Sequence, residues 1–179
     1  MSFPPSFFPQ NPAAASGGVN CGAAWLSPVN LYGPLAANSS GNYTDGLEFR
    51  PMIAMSCLGI RFWGFAGQTY KVSLWNSSGT RLIVFPSVMA SVTGVQTVMF
   101  PTPIPLTALS LYYVSFYNGT YESKCSNSYN YTLTPFYYNP FIQIINTTCY
   151  ASGDGFPNGS SSSGCYPVEP ICSSSPWVD

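Results

Sequence analysis

From Leu47 onward the chain is a succession of short runs rich in Val, Ile, Thr, Tyr, Phe and Trp. They read LEFRPMIA, CLGIRFWGF, TYKVSLW, TRLIVF, GVQTVMF, LSLYYVSFY, YNYTLTPFYY and PFIQIINTTCY. Such residues suit a pleated, half-buried surface, and the Gly, Pro, Asn and Ser between the runs punctuate them as turns do. Alternation sharpens the reading, because successive strand residues point to opposite faces. Leu58, Ile60 and Phe62 are predicted on one face, with Arg61 and Trp63 on the other. Tyr70, Val72 and Leu74 form a second inward set, with Trp75 turned away. Asn76-Ser77-Ser78-Gly79 then reads as a hairpin connection in which Gly79 supplies positive φ if the turn needs it. No segment holds a helical period over three turns. Many short strands at this spacing predict an all-β protein, an antiparallel sandwich or barrel.

The two ends differ from this middle. Residues 1–20 read as an extended arm: Pro4, Pro5, Pro9 and Pro12 exclude a helix, while Phe3, Phe7 and Phe8 are too apolar to be left in water. The arm is expected either to cover its own domain or to dock on a partner. Residues 21–179 read as one domain. Its last stretch, 152–179, is rich in Gly, Ser and Pro and is expected to meander as a loop before a short final strand.

Composition narrows the function classes. Charged residues make up 6% of the chain and the net charge is −1, against roughly 25% charged in average soluble domains. The five basic residues stand singly, without the cluster that phosphate binding needs, so nucleic acid is not expected as a partner. The longest apolar runs, such as 58–65, are strand-sized and broken by Gly or Arg, well short of the ~20 residues of a spanning helix; no membrane insertion is expected. The first residues lack the n-region and h-region of a secretory signal. That suits a virion protein released by lysis, or a mature secreted domain whose signal is gone.

Catalysis finds little support. With no His in the sequence, the commonest general base and the usual triads are missing. The six acids, Asp45, Glu48, Glu122, Asp154, Glu169 and Asp179, are scattered, whereas a glycosidase needs two carboxylates facing across a cleft. Asp45 with Glu48, or Asp154 within Gly-Asp-Gly, could offer oxygen ligands to calcium, but their spacing matches no dedicated calcium loop, and no cofactor is expected.

Six cysteines stand at 21, 57, 125, 149, 165 and 172. No zinc spacing is present, and an even count suits disulfides in an oxidising setting; buried free thiols are the alternative. Cys165–Cys172 is the first expected pair and Cys125–Cys149 the second. Aromatic residues make up 16% of the chain. Trp63, Trp75, Tyr137 and Tyr138 are candidates for a face that meets a partner subunit or grips sugar rings. The alternative is that these rings pack under loops or against the arm.

The stretches LEFRPMIAMSCLGIRFWG, VSLWNSSGTRLIVF, TGVQTVMFPTPIPLTALSLYYVSFYNGTY and GDGFPNG…SSSPWVD resemble, in order, the pattern of the domain-of-unknown-function 4082 family over 47–179. Val95 stands where that family usually has Trp, and Trp63 where it usually has Tyr. The resemblance implies a jelly-roll-like β-sandwich of the kind found as modules of secreted bacterial proteins and in phage virion proteins. It carries no catalytic residues. The expectation is a non-enzymatic virion structural protein: a capsid decoration, head-fibre or tail-associated subunit. It would pack on other virion proteins and copies of itself, with host-surface glycans as a further contact. The alternative is a secreted carbohydrate-binding or adhesion module.

Overall fold

A computed structural model describes residues 35–38, 42–119, 122–125, 136–139, 141–160 and 168–174. Among these residues twelve strands follow in chain order: β1 (Leu35–Asn38), β2 (Tyr43–Pro51), β3 (Met55–Gly64), β4 (Thr69–Asn76), β5 (Arg81–Met89), β6 (Gly94–Leu106), β7 (Tyr112–Tyr117), β8 (Glu122–Cys125), β9 (Phe136–Asn139), β10 (Ile142–Ser152), β11 (Gly159–Ser160) and β12 (Val168–Ser174). No helix occurs among the described residues, so none there is long and apolar enough to cross a membrane.

The strands form an antiparallel, jelly-roll-like sandwich. A large sheet runs β11-β10-β2-β7-β4-β5, with β9 pairing β10, and a small sheet runs β12-β3-β6. The chain crosses repeatedly between the two, from β2 to β3, back to β4 and β5, over to β6 and back to β7, as Greek-key connections do. β1 and β8 pair separately.

The core lies where the two inner faces meet. Leu47 and Phe49 from β2, Tyr70, Val72 and Leu74 from β4, Tyr112, Val114 and Phe116 from β7 and Ile142 and Ile144 from β10 face Ile60 and Phe62 from β3, Val98 and Phe100 from β6 and Val168 from β12. Phe62 sits at its centre, stacked on Phe116 at 5.7 Å and tilted on Tyr70 at 5.0 Å. Tyr70 is fully buried, and its hydroxyl accepts the Phe65 N–H at 2.8 Å, so the ring brings no unpaired polar atom inside.

One predicted face needs correction. The inward set of β3 is Met55, Cys57, Ile60 and Phe62, and Leu58 is only half-buried. Against β12, a bulge between Cys57 and Gly59 inserts one extra residue in β3, and the alternation changes phase there. The C-terminal segment also contributes more than a loop with a terminal strand. β12 pairs β3 along its length and places Val168 and Cys172 in the core. β5 and β6 are the edge strands of their sheets, which is why Pro86, Pro101, Pro103 and Pro105 are tolerated in them.

Candidate functional site

The outer face of the large sheet collects most of the polar and aromatic chemistry. Directly opposed residues of an antiparallel pair share a face, so register reads the surface off row by row. One row crosses four strands as Glu48, Tyr113, Trp75 and Arg81; the next runs Cys149, Gly46, Ser115 and Ser73.

Over these rows lies a strap, residues 153–158, joining β10 to β11. Phe156 stands edge-on to Tyr113 at 4.8 Å between ring centroids and tilts against Trp75 at 5.6 Å. Pro157 sits on Gly46, where a Cβ would lie 2.9 Å from Pro157 Cγ and 3.0 Å from the Val114 carbonyl. The strap is tied at its start: the Gly153 N–H donates to the Asn42 carbonyl, Thr44 Oγ1 donates to the Gly153 carbonyl, and the Gly155 N–H donates to Thr44 Oγ1. Asp154 then bridges two strands, accepting Lys71 Nζ through Oδ2 and Arg81 Nη2 through Oδ1. Arg81 also lies over the Trp75 ring, 4.3 Å from its centroid, a cation–π contact.

Trp75 is therefore held on every side. It is 5% exposed, and its indole N–H donates to Ser115 Oγ at 2.8 Å. The turn beside it is a corner. Asn76 Oδ1 accepts from the Ser78 N–H, Ser78 Oγ and the Thr80 N–H. The Gly79 N–H donates to the Asn76 carbonyl, and Gly79 takes φ 80°. A Cβ there would come within 3.0 Å of the Phe156 ring, so the glycine serves both the turn and the strap.

The titratable groups beneath the strap are set for structure. The Tyr113 hydroxyl donates to Glu48 Oε1 at 2.6 Å. Burial, then the hydrogen bond to Glu48 and the carboxylate's charge, push the Tyr113 hydroxyl well above its ordinary range. Burial and the charge of Glu48 likewise push the Cys149 thiol far up. A nucleophilic cysteine needs a lowered pKa; Cys149 is held as a neutral thiol.

The predicted site residues fall in different places. Trp63 and Trp75 do not share a face: β3 belongs to the small sheet and β4 to the large one, so their outward sides lie on opposite surfaces of the sandwich. Trp63 is half-buried beside Val95. Tyr137 and Tyr138 lie in β9, whose backbone pairs β10; their side chains, and Phe3, Phe7 and Phe8, lie outside the described residues. No disulfide joins the described cysteines. Cys149 is buried on the outer face of the large sheet, its thiol directed at the Asn146 carbonyl, and Cys172 is buried in the core opposite Cys57. Cys165 and the Cys125 side chain lie outside the described residues. The two proposed calcium donors diverge. Asp45, opposite Phe116, points inward and is fully buried, whereas Glu48 points outward to Tyr113. Asp154 is occupied by its two cations, and no group of three or more potential ligands clusters among the described residues.

A family model described as Domain of unknown function (DUF4082) matches residues 33–168. The chain belongs to the DUF4082 family. The matched span starts upstream of Leu47 and ends at the start of β12, so it includes β1 and β2 and leaves most of β12 outside. No curated protein matches the chain. In this DUF4082 domain, two separated pieces of the family pattern meet at one place: Trp75 and Gly79 from the LW…GT stretch, and Phe156 and Pro157 from the late Phe-Pro. Sequence reasoning passed over Phe156, Gly46 and the bridging role of Asp154. The available signal was Gly-Asp-Gly-Phe-Pro itself, a buried-type ring within a glycine-rich stretch.

Proposed function

We propose that this DUF4082 domain is a non-enzymatic structural subunit of a virion, working in the extracellular particle by packing against other proteins, copies of itself among them. The observation that carries this reading is the set of exposed apolar residues on the edge strands β5 and β6 and the turn between them. Leu82, Val84 and Met89 of β5, Val92 of the intervening turn, and Val95 and Met99 of β6 are all exposed, Met89 to 71%, Val92 to 59% and Met99 to 55%. Phe85 stacks on Phe100 at 5.8 Å between the two edges, while Leu82 and Val84 face outward from the large sheet and Val95 and Met99 outward from the small one. Exposed apolar residues standing singly are ordinary; six on two edge strands and their connecting turn are what we read as a contact, and flexible Met side chains adapt to irregular partners.

The occupant we assign is the Phe/Pro arm of a neighbouring copy. Its three Phe among four Pro carry no charge, which suits the apolar side chains exposed on these two edges. Closure of the large sheet's outer face by the strap also supports packing over sugar binding, because Trp75, Tyr113 and Phe156 are engaged with one another. The test compares the full chain with a variant lacking residues 1–12 and with Met99→Glu, by light scattering and by incorporation into particles. Both changes should leave the circular dichroism of the sandwich unchanged and reduce self-association and incorporation at least tenfold. Unchanged association would overturn the assignment. Binding on a glycan array with association intact would replace it by the secreted carbohydrate-binding alternative.

A further inference from the structure

The small sheet carries a pair of thiols that neither the family resemblance nor the proposed packing role uses. Cys57 in β3 and Cys172 in β12 are Cα partners in antiparallel register. Both are fully buried in the same core cluster, so both side chains point inward from directly opposed positions. Opposed residues in an antiparallel pair have Cα atoms about 4.5–5.5 Å apart, inside the roughly 4.4–6.8 Å window of disulfides. The bulges beside them bring this about. β3 holds an extra residue between Cys57 and Gly59, while Ile171 and Cys172 are adjacent. In an unshifted register Cys172 would face Leu58.

We infer that Cys57 and Cys172 are an oxidisable pair forming a cross-strand disulfide that locks the C-terminal strand onto the sandwich. In the reduced form seen here, Cys57 Sγ donates to the Gly59 carbonyl at 3.3 Å. β12 is an edge strand of a three-stranded sheet, so local opening of that strand, at less cost than global unfolding, admits reagent to both sulfurs. The co-reactant is a small-molecule disulfide. A Cys thiolate attacks one of its sulfurs, forming a mixed disulfide and releasing one small thiol. The second Cys thiolate attacks the protein sulfur of that mixed disulfide, closing Cys57–Cys172 and releasing the second small thiol. The protein gives up two protons and two electrons, and one small disulfide becomes two thiols. Cys149 cannot compete, because it lies across from Gly46 on the outer face of the other sheet.

The experiment equilibrates the full chain with oxidised and reduced glutathione, alkylates remaining thiols, digests with chymotrypsin without reduction and identifies linked peptides by mass spectrometry. The expected result is a Cys57–Cys172 peptide two hydrogens lighter than its reduced parts. Oxidation should also raise the melting temperature by about 5–15 °C, an increase absent in Cys57→Ser and Cys172→Ser alike. A Cys172 peptide linked to Cys165 or to any other cysteine, or alkylation of both Cys57 and Cys172 after oxidation, would overturn the inference. The serine variants need only fold: should either fail, the linked-peptide result on the unmodified chain still decides.

Discussion

Phe156→Ala asks whether the strap is part of the folded structure or a loop lying on it. The ring meets Tyr113 edge-on at 4.8 Å and Trp75 at 5.6 Å, and fills the space that Gly79 leaves open. Removing a fully buried Phe costs roughly 3–5 kcal/mol. Phe156 is half-buried, which scales the transfer part to about 2 kcal/mol, and loss of the edge-to-face pair adds about 0.5–1.5 kcal/mol. The expected destabilisation is therefore about 2.5–3.5 kcal/mol, read as a lower urea midpoint at unchanged m-value. A double-mutant cycle with Tyr113→Ala should return a coupling of about 0.5–1.5 kcal/mol, since the rings touch directly. A loss below about 0.5 kcal/mol, the range of ordinary surface substitutions, together with zero coupling, would refute the strap as a structural element and return Trp75 to the list of surfaces open to a ligand.

Other outcomes follow from individual contacts. Burial raises the Glu169 carboxyl from an ordinary value of 4.5 to about 7, against the opposing charge of Arg61, whose Nε lies 3.0 Å from Glu169 Oε1. The native state then binds more protons than the unfolded chain between those values, so stability should fall by about 2–4 kcal/mol as pH rises from roughly 4.5 through 7. Glu169→Gln should flatten that slope in urea titrations at several pH values. Gly79→Ala forces a side chain to φ 80° and into the Phe156 ring, and should cost at least about 1 kcal/mol, seen as a lower melting temperature. Asp154→Asn breaks two partly exposed ion pairs, each worth up to about 1 kcal/mol. Its effect should shrink when the melt is repeated in high salt.

Much of the architecture is legible in local pattern. The alternation of Tyr70, Val72 and Leu74 against Trp75 states which side of β4 is buried, because strand parity depends on neighbouring residues alone. Asn76 and Gly79 state the hairpin for the same reason: an Asn that caps and a Gly that takes positive φ act within five residues. The ordered family stretches were likewise visible. What the pattern could not contain is which sheet each strand joins. Trp63 and Trp75 are each outward on their own strands, yet they face opposite ways, because β3 pairs β6 and β12 while β4 pairs β5 and β7. Nor does alternation announce its own interruption: the bulge that moves Cys57 inward and Leu58 out is set by the register of partners elsewhere in the chain. Phe156 lies on Trp75 and Cys172 faces Cys57 across separations of 81 and 115 residues. Local periodicity determines the faces of strands, but the closing of long loops and the register it selects determine which faces meet, and those were decided only by the tertiary structure.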